Sequence, residues 1–172
     1  MRKDWHEEGP GRMRQKALLT LLLALAWTMP ALAQTVALRW SAKDGHSLAE
    51  RTLDLAALDA LPQMEIVTST PWTEGIKRFT GPTLLDLARL TGFDPATVRV
   101  AALNDFVSSI PATDWKENSI VFSTRLDGKS IRVRENGPFW IMYPINKRGE
   151  FAQLNYRSRM VWQVKSLDFV VE

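Results

Sequence analysis

Apolar and polar positions change rhythm several times along this chain, and each change marks an element. Val36 to Trp40 reads as a strand, and the Gly-containing stretch "SAKDGHS" turns the chain back. In "LDLAALDAL", Leu55, Leu58 and Leu61 recur at helical spacing; Asp54 is placed to cap the first turn and Pro62 to stop the last. Met64 to Val67 is a short apolar run with strand character, followed by a polar loop that carries Trp72. The segment "GPTLLDLARLTG" has the clearest helical signature. Pro82 falls in its first turn, Leu84, Leu85, Leu87 and Leu90 aim at a core, and Gly92 is the expected C′ residue. Asp94-Pro95 then turns the chain into a strand over Val98 to Ala102.

The second half is richer in strand patterns. Ile120 to Thr124 and Ser130 to Arg134 flank an Asp127-Gly128 turn and are expected to pair as a hairpin. Asn136-Gly137-Pro138 leads into the apolar "FWIMY", which Pro144 ends. Residues 160 to 171, "MVWQVKSLDFVV", read as one long strand bent near Lys165, where the alternation shifts phase. Short helices among many strands predict an α+β domain with a mixed sheet.

The start of the chain has a different character. Arg14 and Lys16 precede an apolar stretch from Ala17 to Trp27 and then Ala31-Leu32-Ala33, the layout of a secretory signal peptide cleaved after Ala33. The apolar stretch is shorter than the roughly 20 residues of a spanning helix. Residues 1–33 are therefore read as a signal peptide region and 34–172 as a single domain. The first twelve residues are either an upstream extension of a chain that starts at Met13 or a long natural lead-in.

Removing this region changes the charge. The whole chain is +3 at pH 7, whereas residues 34–172 hold 17 basic and 16 acidic side chains, a balance that points to no polyanionic partner. No basic run interleaved with aromatics is present, so nucleic acid is not expected as a partner. The chain has no cysteine, which removes thiolate nucleophiles and thiolate metal ligands. His46 is the sole histidine beyond the leader and reads as an exposed turn residue.

Four segments stand in order: "STPWTEGIKRFTGPTLLDL", "VAALNDFVSSIP", "LDGKSIRVRENGPFWIMYP" and "VWQVKSLDFVV". Together they resemble the molybdopterin-binding domain of the sulfite oxidase superfamily, which includes periplasmic methionine sulfoxide reductases, over roughly residues 48 to 171. The resemblance implies a mixed-sheet, sulfite oxidase-like fold with short helices. Where the family's enzymes place a molybdenum-binding cysteine, this chain has Thr68, Ser69 and Thr70, ahead of Trp72, Phe79, Gly81 and Leu84. Trp140 stands where they carry an arginine, and Asn104-Asp105-Phe106 replaces an acidic segment containing tyrosine. The leader also lacks the paired arginines of cofactor-loaded exported enzymes.

These departures resemble the small cysteine-less branch of the superfamily. The resemblance implies a periplasmic, non-catalytic pterin-binding receptor that works with the periplasmic portion of an inner-membrane cyclic-di-GMP signalling protein. No molybdenum is then expected, nor membrane insertion after cleavage. Two alternatives stand beside it: a molybdopterin-dependent oxidoreductase that lacks the usual cysteine, and a ligand-free protein-interaction scaffold.

A pterin is a flat bicycle with a donor-rich, guanidine-like edge and a neighbouring carbonyl, and its binding calls for an aromatic face and a few polar groups. Trp72, Phe106 and Trp140 are candidate faces, or else core packing. Asp105 and Asn104 are candidates to pair the edge, or else form a turn. Thr68, Ser69 and Thr70 offer hydroxyls or satisfy their own backbone. Arg78 would point toward the region of the enzymes' cofactor phosphate, or else belongs with Lys77 to a solvated loop. Arg157, with Arg159, would meet an acidic tail or a partner, or form a solvated strand face.

Overall fold

The computed structural model describes residues 34–172. The reading of a leader, its cleavage after Ala33 and a start at Met13 lies outside them. Among the described residues no helix is long and apolar enough to cross a membrane.

The domain is mixed α+β, mostly sheet with a few short helices. Its main sheet has the order β2-β1-β11-β5-β6, formed by β1 (Thr35–Ala42), β2 (Ser47–Asp54), β5 (Thr97–Ala102), β6 (Val107–Pro111) and β11 (Val164–Val171). β1 runs parallel to β11, and every other pairing in the sheet is antiparallel. Alternation along β1 sends Val36, Leu38 and Trp40 inward, where they meet Val98, Val100, Leu167 and Phe169 from the neighbouring strands. Trp40 stacks on Phe169, with centroids 5.4 Å apart. The ladder slips between Val164 and Ser166, so Lys165 sits at a bulge, where the phase shift of the pattern places it.

Three short helices pack against this face. Helix α1 (Leu55–Asp59) begins as expected, with the Asp54 carboxylate accepting the Ala57 N–H at 2.8 Å, and it buries Leu58. Helix α2 (Leu84–Ala88) opens on a reciprocal cap in which Thr83 Oγ1 accepts the Asp86 N–H and Asp86 accepts the Thr83 N–H. Pro82 therefore precedes the cap instead of lying in the first turn. A 3-10 turn over Arg89–Thr91 follows, and Gly92 ends it at φ +79°, a left-handed geometry that glycine adopts without strain. The Ala88 carbonyl at the helix end accepts the Trp40 indole N–H at 3.0 Å, which pins α2 to the sheet. Helix α3 (Ala112–Glu117) adds Trp115, edge-on to Phe169.

The remaining strands form two small sheets. One has the order β3-β4-β8-β9, from β3 (Met64–Ser69), β4 (Ile76–Gly81), β8 (Arg125–Leu126) and β9 (Lys129–Ser130); the other pairs β7 (Val121–Ser123) with β10 (Trp140–Met142). Three expectations are corrected by this region. The polar loop after Val67 is shorter than its composition suggests, because β3 runs on through Thr68 and Ser69 and Ile76–Gly81 returns beside it in full register. The Asp127-Gly128 turn exists, with φ of +50° and +78°, but it joins β8 to β9 only. Residues 121–123 pair instead with β10, and Val133–Glu135 is a 3-10 turn. Gly81 allows the two small sheets to meet: a Cβ there would lie 2.0 Å from the Phe122 carbonyl oxygen.

Candidate functional site

Three segments that follow strands β3, β5 and β10 converge on an open cavity of about 440 Å³. The turn after β3 contributes Pro71 and Trp72, the β5–β6 turn contributes Asn104 and Phe106, and residues 154–162 form the opposite wall.

Each segment is held by its own polar side chains. In the first, Thr70 Oγ1 accepts the Trp72 N–H at 3.2 Å and bonds the Thr73 hydroxyl at 2.9 Å, so the threonines shape the turn that presents the indole. In the second, Asn104 Oδ1 accepts the Phe106 N–H at 3.2 Å and Asp105 takes a positive φ of 65°. This turn leaves Phe106 48% exposed at the cavity mouth. The Asp105 carboxylate points to Lys165, and that hydrogen bond holds its pKa below the ordinary 3.8.

The third wall is the least regular. Helix α4 (Leu154–Arg157) is a single turn, and Met160–Gln163 continues without strand pairing apart from an isolated bridge between Trp162 and Trp140. The long strand expected from residue 160 thus begins at Val164, because Gln163 adopts φ +52° and breaks the extended run. Arg157 and Arg159 belong to this helix and turn, not to a strand face. Arg159 Nη1 donates to Asp114 Oδ2 at 2.8 Å, and Tyr143 donates its hydroxyl to the same oxygen at 2.6 Å. The guanidinium also lies over the Tyr156 ring, 5.1 Å from its centroid. Burial, then the Asp114 carboxylate, drives the Tyr143 pKa above its ordinary value, so the phenol stays protonated and donates.

The floor is aromatic. Trp72 meets Trp162 edge-to-face at 5.3 Å and Trp140 at 6.1 Å. Trp140 is wholly buried, donates its indole N–H to the Met160 carbonyl at 3.2 Å and packs on Phe79. It supports the floor from behind and has no face left for a ligand.

Of the residues singled out in the sequence, Trp72, Asn104, Phe106 and Arg157 line the cavity, and Thr70 and Asp105 stand next to lining residues. The other four lie elsewhere. Asn146 Oδ1 accepts from Thr68 Oγ1 at 3.3 Å and Ser69 Oγ at 3.0 Å, which ties the end of β3 to the loop after β10. Arg78, on β4, reaches Glu65 at 3.3 Å while its backbone N–H is taken by Asp127. Trp140 is the fourth. Trp162, Met160 and Ser158 also line the cavity and were not singled out, because the apolar alternation of "MVWQV" resembles strand packing.

The donor set does not suit molybdenum. The hydroxyls of Thr68, Ser69 and Thr70 are engaged by Asn146 or by their own turn, and none lines the cavity. No protein-family model matches this chain, and no curated protein matches it.

Proposed function

We propose that this protein is a non-catalytic pterin-binding receptor of the periplasm. The observation that carries this reading is the cavity itself. It is large enough for a small heterocycle, floored by Trp72 and Trp162, flanked by Phe106, and supplied with polar groups by Asn104, Arg157 and Ser158. Flat aromatic ligands stack on such rings and take their orientation from a few polar side chains. Nothing in that arrangement is a nucleophile poised beside a base.

A receptor transmits by having different affinities for its partner with and without ligand. In this reading the partner is the periplasmic portion of an inner-membrane cyclic-di-GMP signalling enzyme. The wall of residues 154–162 is the element to transmit ligand state, since it touches the cavity and lies outside the regular strand pairing.

The test is to purify the protein from the periplasm, release any bound compound with mild acid, and record fluorescence, mass and molybdenum content together. A metal-free fluorescent pterin near one per protein supports the receptor. Stoichiometric molybdenum overturns it in favour of an oxidoreductase, and failure to carry or take up any pterin overturns it in favour of a protein-only scaffold.

A further inference from the structure

The cavity's hydrogen-bonding groups are unbalanced toward donors. Asn104 Oδ1 accepts the Phe106 N–H and keeps one lone pair, while both protons of its Nδ2 amino group stay uncommitted among the described residues. Arg157 gives its Nε proton to the Ala152 carbonyl at 2.7 Å, and among the described residues nothing accepts from its Nη1 and Nη2 groups. Ser158 donates to the Asn155 carbonyl at 2.8 Å and is left with lone pairs.

Among the lining residues Arg157 is the one charged side chain. The nearby acids are committed elsewhere: Asp105 to Lys165, and Asp114 to Arg159 and Tyr143. A guanidinium without a counter-charge thus stands at the edge of an aromatic floor. It attracts anions, and its planar fork suits the paired oxygens of a carboxylate or phosphate. The donor-rich edge of a bare pterin finds no carboxylate lining the cavity to pair with.

We infer that the ligand is an acidic pterin, one whose ring substituent ends in a carboxylate or phosphate that Arg157 binds while the bicycle lies against Trp72. Asn104 Nδ2 then faces the carbonyl side of the ring. This inference rests on the pterin reading above and narrows it to a charge class.

Three probes test it on the protein by fluorescence titration: 6-hydroxymethylpterin, which has no acidic group, its phosphate ester, and pterin-6-carboxylate. At least one acid is expected to bind about tenfold or more tightly than the uncharged pterin, as a charge-assisted pair requires. The acid that binds best identifies the tail. Arg157→Gln is expected to shrink that preference to under about threefold, and added salt to weaken it in the wild type. Equal binding of all three probes, or an undiminished preference in Arg157→Gln, overturns the inference and leaves the pterin reading in place. Binding of none of them overturns both.

Discussion

Two trios of large aromatic rings sit in this domain and serve opposite ends. Trp40, Phe169 and Trp115 lie between the main sheet and its helices, all buried, and the Trp40 indole N–H is spent on the Ala88 carbonyl. Trp72, Trp140 and Trp162 lie under the irregular wall, and only Trp140 is fully buried. Long strands anchor two rings of the first trio on adjacent positions of a continuous ladder. A turn carries Trp72 and a single bridge carries Trp162, so the faces of these two rings stay open to the cavity. Similar side chains thus become packing or platform according to the regularity of the backbone beneath them.

Substitutions in each trio probe this contrast. Trp40→Ala is expected to have the largest effect, a loss of about 3–5 kcal/mol of unfolding free energy in urea, as for other buried rings. A loss below about 1.5 kcal/mol would mean the two clusters do not differ in the way described. Asp114→Ala ranks second. It strands the Arg159 guanidinium and the buried Tyr143 hydroxyl, so a loss of about 2–3 kcal/mol is expected, together with weaker ligand binding because Arg159 no longer holds its part of the cavity wall. Undisturbed binding in that variant would show that the wall is positioned by other contacts.

Trp72→Ala comes third and moves a different observable. Pterin affinity is expected to fall more than tenfold, about 1.4 kcal/mol, while unfolding stays cooperative; unchanged affinity would remove Trp72 from the platform. The smallest effect concerns pH. Lys165 holds the Asp105 pKa down, so this pair adds stability above 3.8 that is lost as pH falls through the lower folded value. In Lys165→Met the Asp105 carboxyl should titrate at higher pH, read from its side-chain NMR shift. An unmoved titration would show that the pair does not form in solution.

Three strands of the sheet around Trp40, β1, β5 and β11, could be read from the chain because their signals are local, whereas β2 and β6 bury almost nothing and show no clear alternation. Alternation in β1, the Asp54 cap, the left-handed Gly92 and the phase shift at Lys165 each depend on a few neighbouring residues. The second trio depends on distant ones. β4 carries no strand signal because Lys77, Arg78 and Thr80 make "IKRFTG" look like loop, although the residues pair with β3 along their whole length. The partner of β7 is β10 and not the strand across the nearest turn, a choice set by tertiary packing. Single residues around the cavity were suggestive by type, as Trp72, Asn104, Phe106 and Arg157 are. The hydroxyls of Thr68 and Ser69 were suggestive too, yet they fasten Asn146, a long-range partner with no mark in the local pattern.

The parallel pairing of β1 with β11 bears on how the chain reaches this state. Ser41 and Asp168, bonded across that pairing, are 127 residues apart in sequence. Between them β11 also fills the gap between β1 and β5, so until residues 164–171 arrive the main sheet is two separate hairpins. Contacts that distant close late and slowly, because the loop entropy is lost before any pairing repays it. A chain of this topology therefore cannot complete its main sheet until its last strand is available, however early its hairpins pair.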